Sequence, residues 1–151
     1  MRVDFAFGAQ NRFRDSCFIV QKQYLADRHL LVYLSDQRAL AHFDRLLWGF
    51  QPTAFVPHAL ADAHNAEQAP IVLCAQPQQL EQAQQWLNQP WVLNLDADIV
   101  PLEPSSGRIL EVVSAQQQCR TQGRQRWRRY QSLGYTLRAH ELKPNHGGNH
   151  G

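Results

Sequence analysis

Arg120, Arg124 and Arg128 recur at every fourth position within an unusual concentration of positive charge. From Arg120 to Lys143 the chain places seven of its fifteen Lys and Arg residues, Arg126, Arg129 and Arg138 among them, against a single acid, Glu141. That stretch carries +6 by residue count, seven against one; the remainder, eight basic residues against twelve acids, carries −4, so the formal total of +2 conceals a polarised molecule. At about 3.6 residues per turn the three arginines drift slowly around one face of a helix and form a ridge of guanidinium groups. Trp127 borders the ridge, while Cys119, Gly123, Arg126 and Tyr130 fall on a neighbouring stripe suited to packing inward. A solvated helix face is the plain use of such a run. The lack of acids to offset arginines that repel one another points instead to a local anion site.

Reactive chemistry finds little support elsewhere. Asp96 and Asp98 in LNLDADIV have the look of a metal or acid-base pair, but no third ligand or His lies nearby in sequence, and loop or helix-capping roles are expected. His58 and His64 lack the spacing of a helical zinc pair, and His58 is expected to hydrogen-bond within a turn. Cys17, Cys74 and Cys119 are odd in number and widely separated, which fits buried free thiols better than a disulfide framework or zinc site. His146 and His150 sit in a glycine-rich terminus with no preorganised metal geometry. No catalytic residue, metal or cofactor is assigned.

Leu46 to Ala61, LLWGFQPTAFVPHALA, carries a different signal. Trp48, Phe50, Phe55 and Val56 crowd around Pro52 and Pro57, whose fixed backbones leave the aromatics little entropy to lose on binding. They either plug the edge of a sheet or anchor a protein interface.

The elements that must position these groups follow from hydrophobic periodicity. Arg2 to Phe7 alternates as a strand, and Gly8 ends it; a helix follows from about Arg14, with Cys17, Phe18, Tyr24 and Leu25 at helical spacing. Leu30 to Leu34 reads as a strand. Ser35 and Asp36 offer N-caps to a helix that sets Leu40, Phe43, Leu47 and Trp48 on one side. Strands are expected at Ile71 to Ala75, Trp91 to Leu95, Ile109 to Val113 and Tyr135 to His140. Helices are expected at Gln78 to Asn88 and at about Ala115 to Leu133, the latter capped by Gly134. Continuous apolar strands alternating with helices imply an α/β fold with a mostly parallel sheet covered on both faces. At 151 residues and 44% hydrophobic the chain suits one domain, 1–143, and the last eight residues, PNHGGNHG (144–151), are expected to be a disordered Gly/His/Asn tail. With no apolar run of membrane-spanning length and no leader pattern, it reads as a cytoplasmic chain without membrane contact. No G-x-G-x-x-G or G-x-x-x-x-G-K-[ST] follows any of these strands, so the nucleotide-binding fingerprints of such folds are missing.

Two segments together resemble the chi subunit family of bacterial DNA polymerase III holoenzyme. Leu47-Trp48 through Phe55-Val56-Pro57-His58 and Leu60-Ala61 is similar to that family's LW, a proline, then FVPH-x-LA. Arg124-Gln125-Arg126-Trp127-Arg128-Arg129-Tyr130 with Gly134-Tyr135-Thr136-Leu137 is similar to R-x-R-[WY]-[KR]-x-Y followed by G-[FY]-x-L. The resemblance implies a single-domain, Rossmann-like three-layer fold and a non-catalytic accessory subunit of the clamp loader. Such a subunit would link the replisome to single-stranded DNA-binding protein by gripping that protein's acidic, Phe-terminated C-terminal tail. Arg124, Arg128 and Trp127 match the family's tail-binding positions, and Arg120 and Val113 align with further contacts. Trp127 and Val113 would then form the apolar wall for the terminal ring. Trp48 and Phe55 match the positions that meet a second partner, here the psi subunit, another clamp-loader component or a helicase of the repair type. DNA would be reached indirectly. The rival reading is a single-stranded nucleic-acid-binding module, with the same arginines on phosphates and Trp127 and Tyr130 stacking on bases.

Overall fold

The computed structural model describes residues 1–142; the expected tail, 144–151, lies outside the described residues, as does Lys143. The chain runs β1 (Arg2–Ala9), α1 (Arg12–Leu25), β2 (Leu30–Tyr33), α2 (Gln37–Gly49), β3 (Ala59–Leu60), a short 3-10 turn (Ala66–Gln68) and β4 (Ile71–Cys74). It continues through α3 (Pro77–Trp86), β5 (Trp91–Asn94), β6 (Arg108–Ser114), α4 (Gln117–Ser132) and β7 (Thr136–Glu141). The strands form one seven-stranded sheet in the order β3-β4-β2-β5-β6-β1-β7, and every pairing is parallel.

Sequence patterns and layers correspond directly. β2 and β4 are buried at every position, as continuous apolar strands must be when helices cover both faces. Cys17 and Val20 of α1 join Leu40, Phe43 and Leu47 of α2 in one core, and Leu80 and Ala83 of α3 join Tyr130 of α4 in the other. The connections from β1 and β2 run toward the β3 edge and those from β4 and β6 toward the β7 edge, so right-handed crossovers put α1 and α2 on one face and α3 and α4 on the other. Three helix starts are fixed locally. Asn11 accepts from the Arg14 amide at 3.0 Å, Asp36 from those of Arg38 and Ala39, and Gln79 reaches back to the Gln76 amide behind Pro77.

Three expectations shift. Leu25 points outward, because α1 turns Phe13, Cys17 and Val20 to the core instead. Trp48 is half-exposed rather than on the inward stripe of α2. Ala59 and Leu60 form a two-residue edge strand paired to Val72 and Leu73 within what reads as a proline-rich loop, a run too short to show periodicity.

A candidate peptide-binding ridge on helix α4

The inner side of α4 is fixed by one buried carboxylate. Glu111, on β6, accepts from Arg126 Nε at 2.9 Å, from the Tyr130 hydroxyl at 2.7 Å and from Asn94 Nδ2 at 2.6 Å, with Arg12 Nη2 at 3.5 Å. Arg126 is 1% exposed, so it is a structural cation and not part of the surface charge. Burial, then the Glu111 charge beside it, pushes the Tyr130 phenol far up and keeps it a proton donor. One turn earlier Gly123 lets the helix approach the sheet closely: a Cβ there would sit 2.7 Å from Val113 Cγ2. Gly134, with φ of +81°, lets the chain leave the helix end toward β7 in a left-handed conformation that glycine adopts without strain.

With that stripe anchored, the 3.6-residue period turns Arg120, Arg124 and Arg128 to solvent, and all three are exposed. None of them makes an ion pair or side-chain hydrogen bond among the described residues, whereas neighbouring Arg129 meets Asp98 at 3.4 Å. Trp127 lies between ridge and sheet, half-buried against Phe5 and Phe7, with ring centroids 5.1 and 6.2 Å away. Phe7 and Leu137 are likewise only partly covered. Register places Leu137 beside Val3, hence on the α4 face of edge strand β7. The result is a cationic ridge beside an apolar shelf of Phe7, Trp127 and Leu137 at the open edge of the sheet. Sequence reasoning pairs Trp127 with Val113 as the wall, and here the structure corrects it. Val113 is 0% exposed under Gly123, so it sets the height of the helix and offers no surface. Phe7 and Leu137 were missed because their strands contribute to this shelf only through pairing distant in sequence; the alternation of Val3, Phe5 and Phe7 and the polar neighbours of Leu137 were the available signal.

The aromatic segment divides between core and surface. Phe50 and Val56 are buried, while Trp48 and Phe55 are 48% and 68% exposed with ring centroids 6.0 Å apart. Beneath them His58 packs against Trp48, tilted by 36° with ring centroids 4.0 Å apart, and is held through Nδ1 to the Val56 carbonyl at 2.7 Å and Nε2 to Asp44 at 3.0 Å. The expected turn hydrogen bond of His58 therefore exists, and it supports a rigid two-ring surface patch at the β3 end of the sheet, away from the β7 edge.

Residues 1–138 match the family model for the DNA polymerase III chi subunit, HolC, a match that includes both patches. The chain belongs to the chi subunit family. It is also similar to the DNA polymerase III subunit chi of Pseudomonas aeruginosa, at 27% identity over 93% of this chain and 96% of that protein.

In this chi-family chain the carboxyl end of the sheet, where open α/β folds commonly hold ligands, is partly occupied by the Arg12 side chain. A crevice of about 390 Å³ opens beside the carboxyl end of β6, lined by Asn11, Arg12, Arg14, His42, Ser114 and Gln116. Arg12 closes the sheet beside it, donating to the carbonyls of Val112, Leu95, Asn94 and Asp96 at 2.9 to 3.2 Å. Burial and the nearby Arg126 charge lower its pKa, and Glu111 acts against them. Asp96 accepts from Ser35 and Asp98 meets Arg129, so the acidic pair braces loops. Among the described residues no group of three or more His, Cys, Asp and Glu is arranged to hold a metal, and no helix is long and apolar enough to cross a membrane. Burial pushes the thiols of Cys17 and Cys74 up to about 12, which leaves them protonated and poor nucleophiles.

Proposed function

We propose that this chain is a non-catalytic accessory subunit of the clamp-loader complex that holds the acidic, Phe-terminated tail of single-stranded DNA-binding protein on α4. The observation that carries this reading is the juxtaposition of three unpaired arginines with a partly covered aromatic shelf. An acidic tail supplies what the ridge lacks. Its aspartates and terminal carboxylate offset the repulsion among Arg120, Arg124 and Arg128, and the guanidinium forks take carboxylates bidentately. The terminal ring rests on Trp127, Phe7 and Leu137, with Val113 supporting the helix from below. Trp48 and Phe55 form the second contact, toward psi, another clamp-loader component or a helicase, with the Trp48 ring supported by His58. DNA is then reached through the bound protein.

A labelled acidic peptide ending in Phe, titrated into the full chain at low salt, tests the reading. Saturable binding that weakens with salt and disappears when the last Phe is removed supports it. Equal binding of the truncated peptide, or binding to a naked oligonucleotide that Arg124→Ala and Arg128→Ala abolish, replaces it with the nucleic-acid reading of the same helix.

A further inference from the structure

On the α1 face of the sheet one strip is left exposed. α1 packs mainly over β2 and β6, and Thr136, Arg138 and His140 of edge strand β7 are exposed beside β1. By register that strip presents Arg2, Asp4 and Ala6 on β1 beside Thr136, Arg138 and His140 on β7. Arg108, the β6 neighbour of Arg2, adds a cation at its border, and Arg28 adds another across Trp91, whose ring has Arg108 and Arg28 centred 4.2 and 3.9 Å from it. Two arginines and a histidine thus meet one carboxylate, with Arg138 in register beside it and Arg28 across Trp91.

That carboxylate is fully engaged. Asp4 meets Arg108 Nε at 2.6 Å, Arg2 Nη2 at 3.0 Å and His140 Nε2 at 3.1 Å. One charge cannot neutralise its neighbours, and it fixes Arg2, Arg108 and His140 as an ordered array. Arg138, in register with Asp4, is exposed and has no ion pair among the described residues. Burial acts to raise the Asp4 pKa, but its bonds to His140, Arg2 and Arg108 outweigh that and hold it below the usual carboxylate value, so Asp4 stays ionised across the neutral range.

We propose that this open face of β1 and β7 is a contact surface for the phosphate backbone of single-stranded DNA. It lies on the side of the sheet opposite α4, and the inference stands apart from the tail reading. Three features favour nucleic acid over an acidic protein. Between the cations lie only Ala6 and Thr136, so the strip has no large apolar anchor of the kind that carries protein interfaces. Trp91 cannot supply one, because arginines lie against its ring. The exposed strip is little more than two strands wide, roughly 10 Å at the usual strand spacing, which suits a single sugar-phosphate chain held by counterion release.

Fluorescence anisotropy of a labelled oligothymidylate titrated with the full chain at low salt, with thermal melts as folding controls, tests the proposal. The variant pair is Arg138→Glu alone, which alters no bonded group, and Arg138→Glu with Arg2→Gln. The expected result is binding by the wild type, weakened about tenfold or more in the double variant, with a salt slope shallower by about 0.7 for each phosphate contact removed. Arg124→Ala with Arg128→Ala should leave this binding unchanged. No binding by the wild type at low salt overturns the proposal, as does loss of binding in the α4 variant alone. Displacement of the oligonucleotide by an acidic peptide of equal charge at equal concentration also overturns it, because it assigns the face to a protein partner.

Discussion

The two sides of α4 use the same residue type in opposite ways. Arg126 faces inward, 1% exposed, and is tied to Glu111 in a buried network with Tyr130, Asn94 and Arg12. Arg120, Arg124 and Arg128, two to six residues away, stand in solvent with no partner among the described residues. Composition alone counts all four as one basic patch. Their environments separate a group that maintains the fold from groups available to a ligand, and the distinction rests on helical phase.

Removing the inward anchor should have the largest effect. Glu111→Ala strands Arg126 and Arg12 without a counter-charge and is expected to cost about 3–5 kcal/mol of stability, read by urea unfolding. Equal stability of this variant would dissolve the distinction between the two sides. The outward arginines should behave inversely: Arg124→Ala or Arg128→Ala is expected to weaken peptide binding by about 1–3 kcal/mol, read by calorimetry, with the melting temperature nearly unchanged. Gly123→Ala tests the spacing between the sides. Overpacking against Val113 costs about 1–3 kcal/mol and the better helix propensity of Ala returns about 1, so a net loss near 1 kcal/mol is expected. Trp48→Ala should cost only about 0.5 kcal/mol of stability on a half-exposed patch, with loss of the second partner but intact peptide binding. Joint loss of both partners would show that the two patches are not independent.

The order of elements was readable because each buried strand is a short apolar run and each helix carries its own period and cap, as at Asp36 and Gly134. The ridge was readable for the same reason, since Arg120, Arg124, Trp127 and Arg128 lie within three turns. The remainder depends on tertiary pairing. Phe7 and Leu137 reach the α4 shelf through the β1–β7 ladder, and the open basic strip joins Arg2 to Arg138 across it. Val113 was read as part of the exposed wall because its burial depends on Gly123, whose lack of a side chain lets α4 sit close on the strand. Trp48 and Phe55 could not be told from Phe50 and Val56 by hydrophobicity, and the His58 contact beneath Trp48 has no local sequence signal.

Amide and indole nuclear magnetic resonance spectra recorded during titration with the acidic Phe-ended peptide locate the ligand directly. Shifts concentrated at Arg120, Arg124, the Trp127 indole, Arg128 and Leu137, and absent when the final Phe is deleted, are the predicted result. Shifts confined to the Trp48 and Phe55 patch, or none at peptide concentrations that saturate binding, would contradict it.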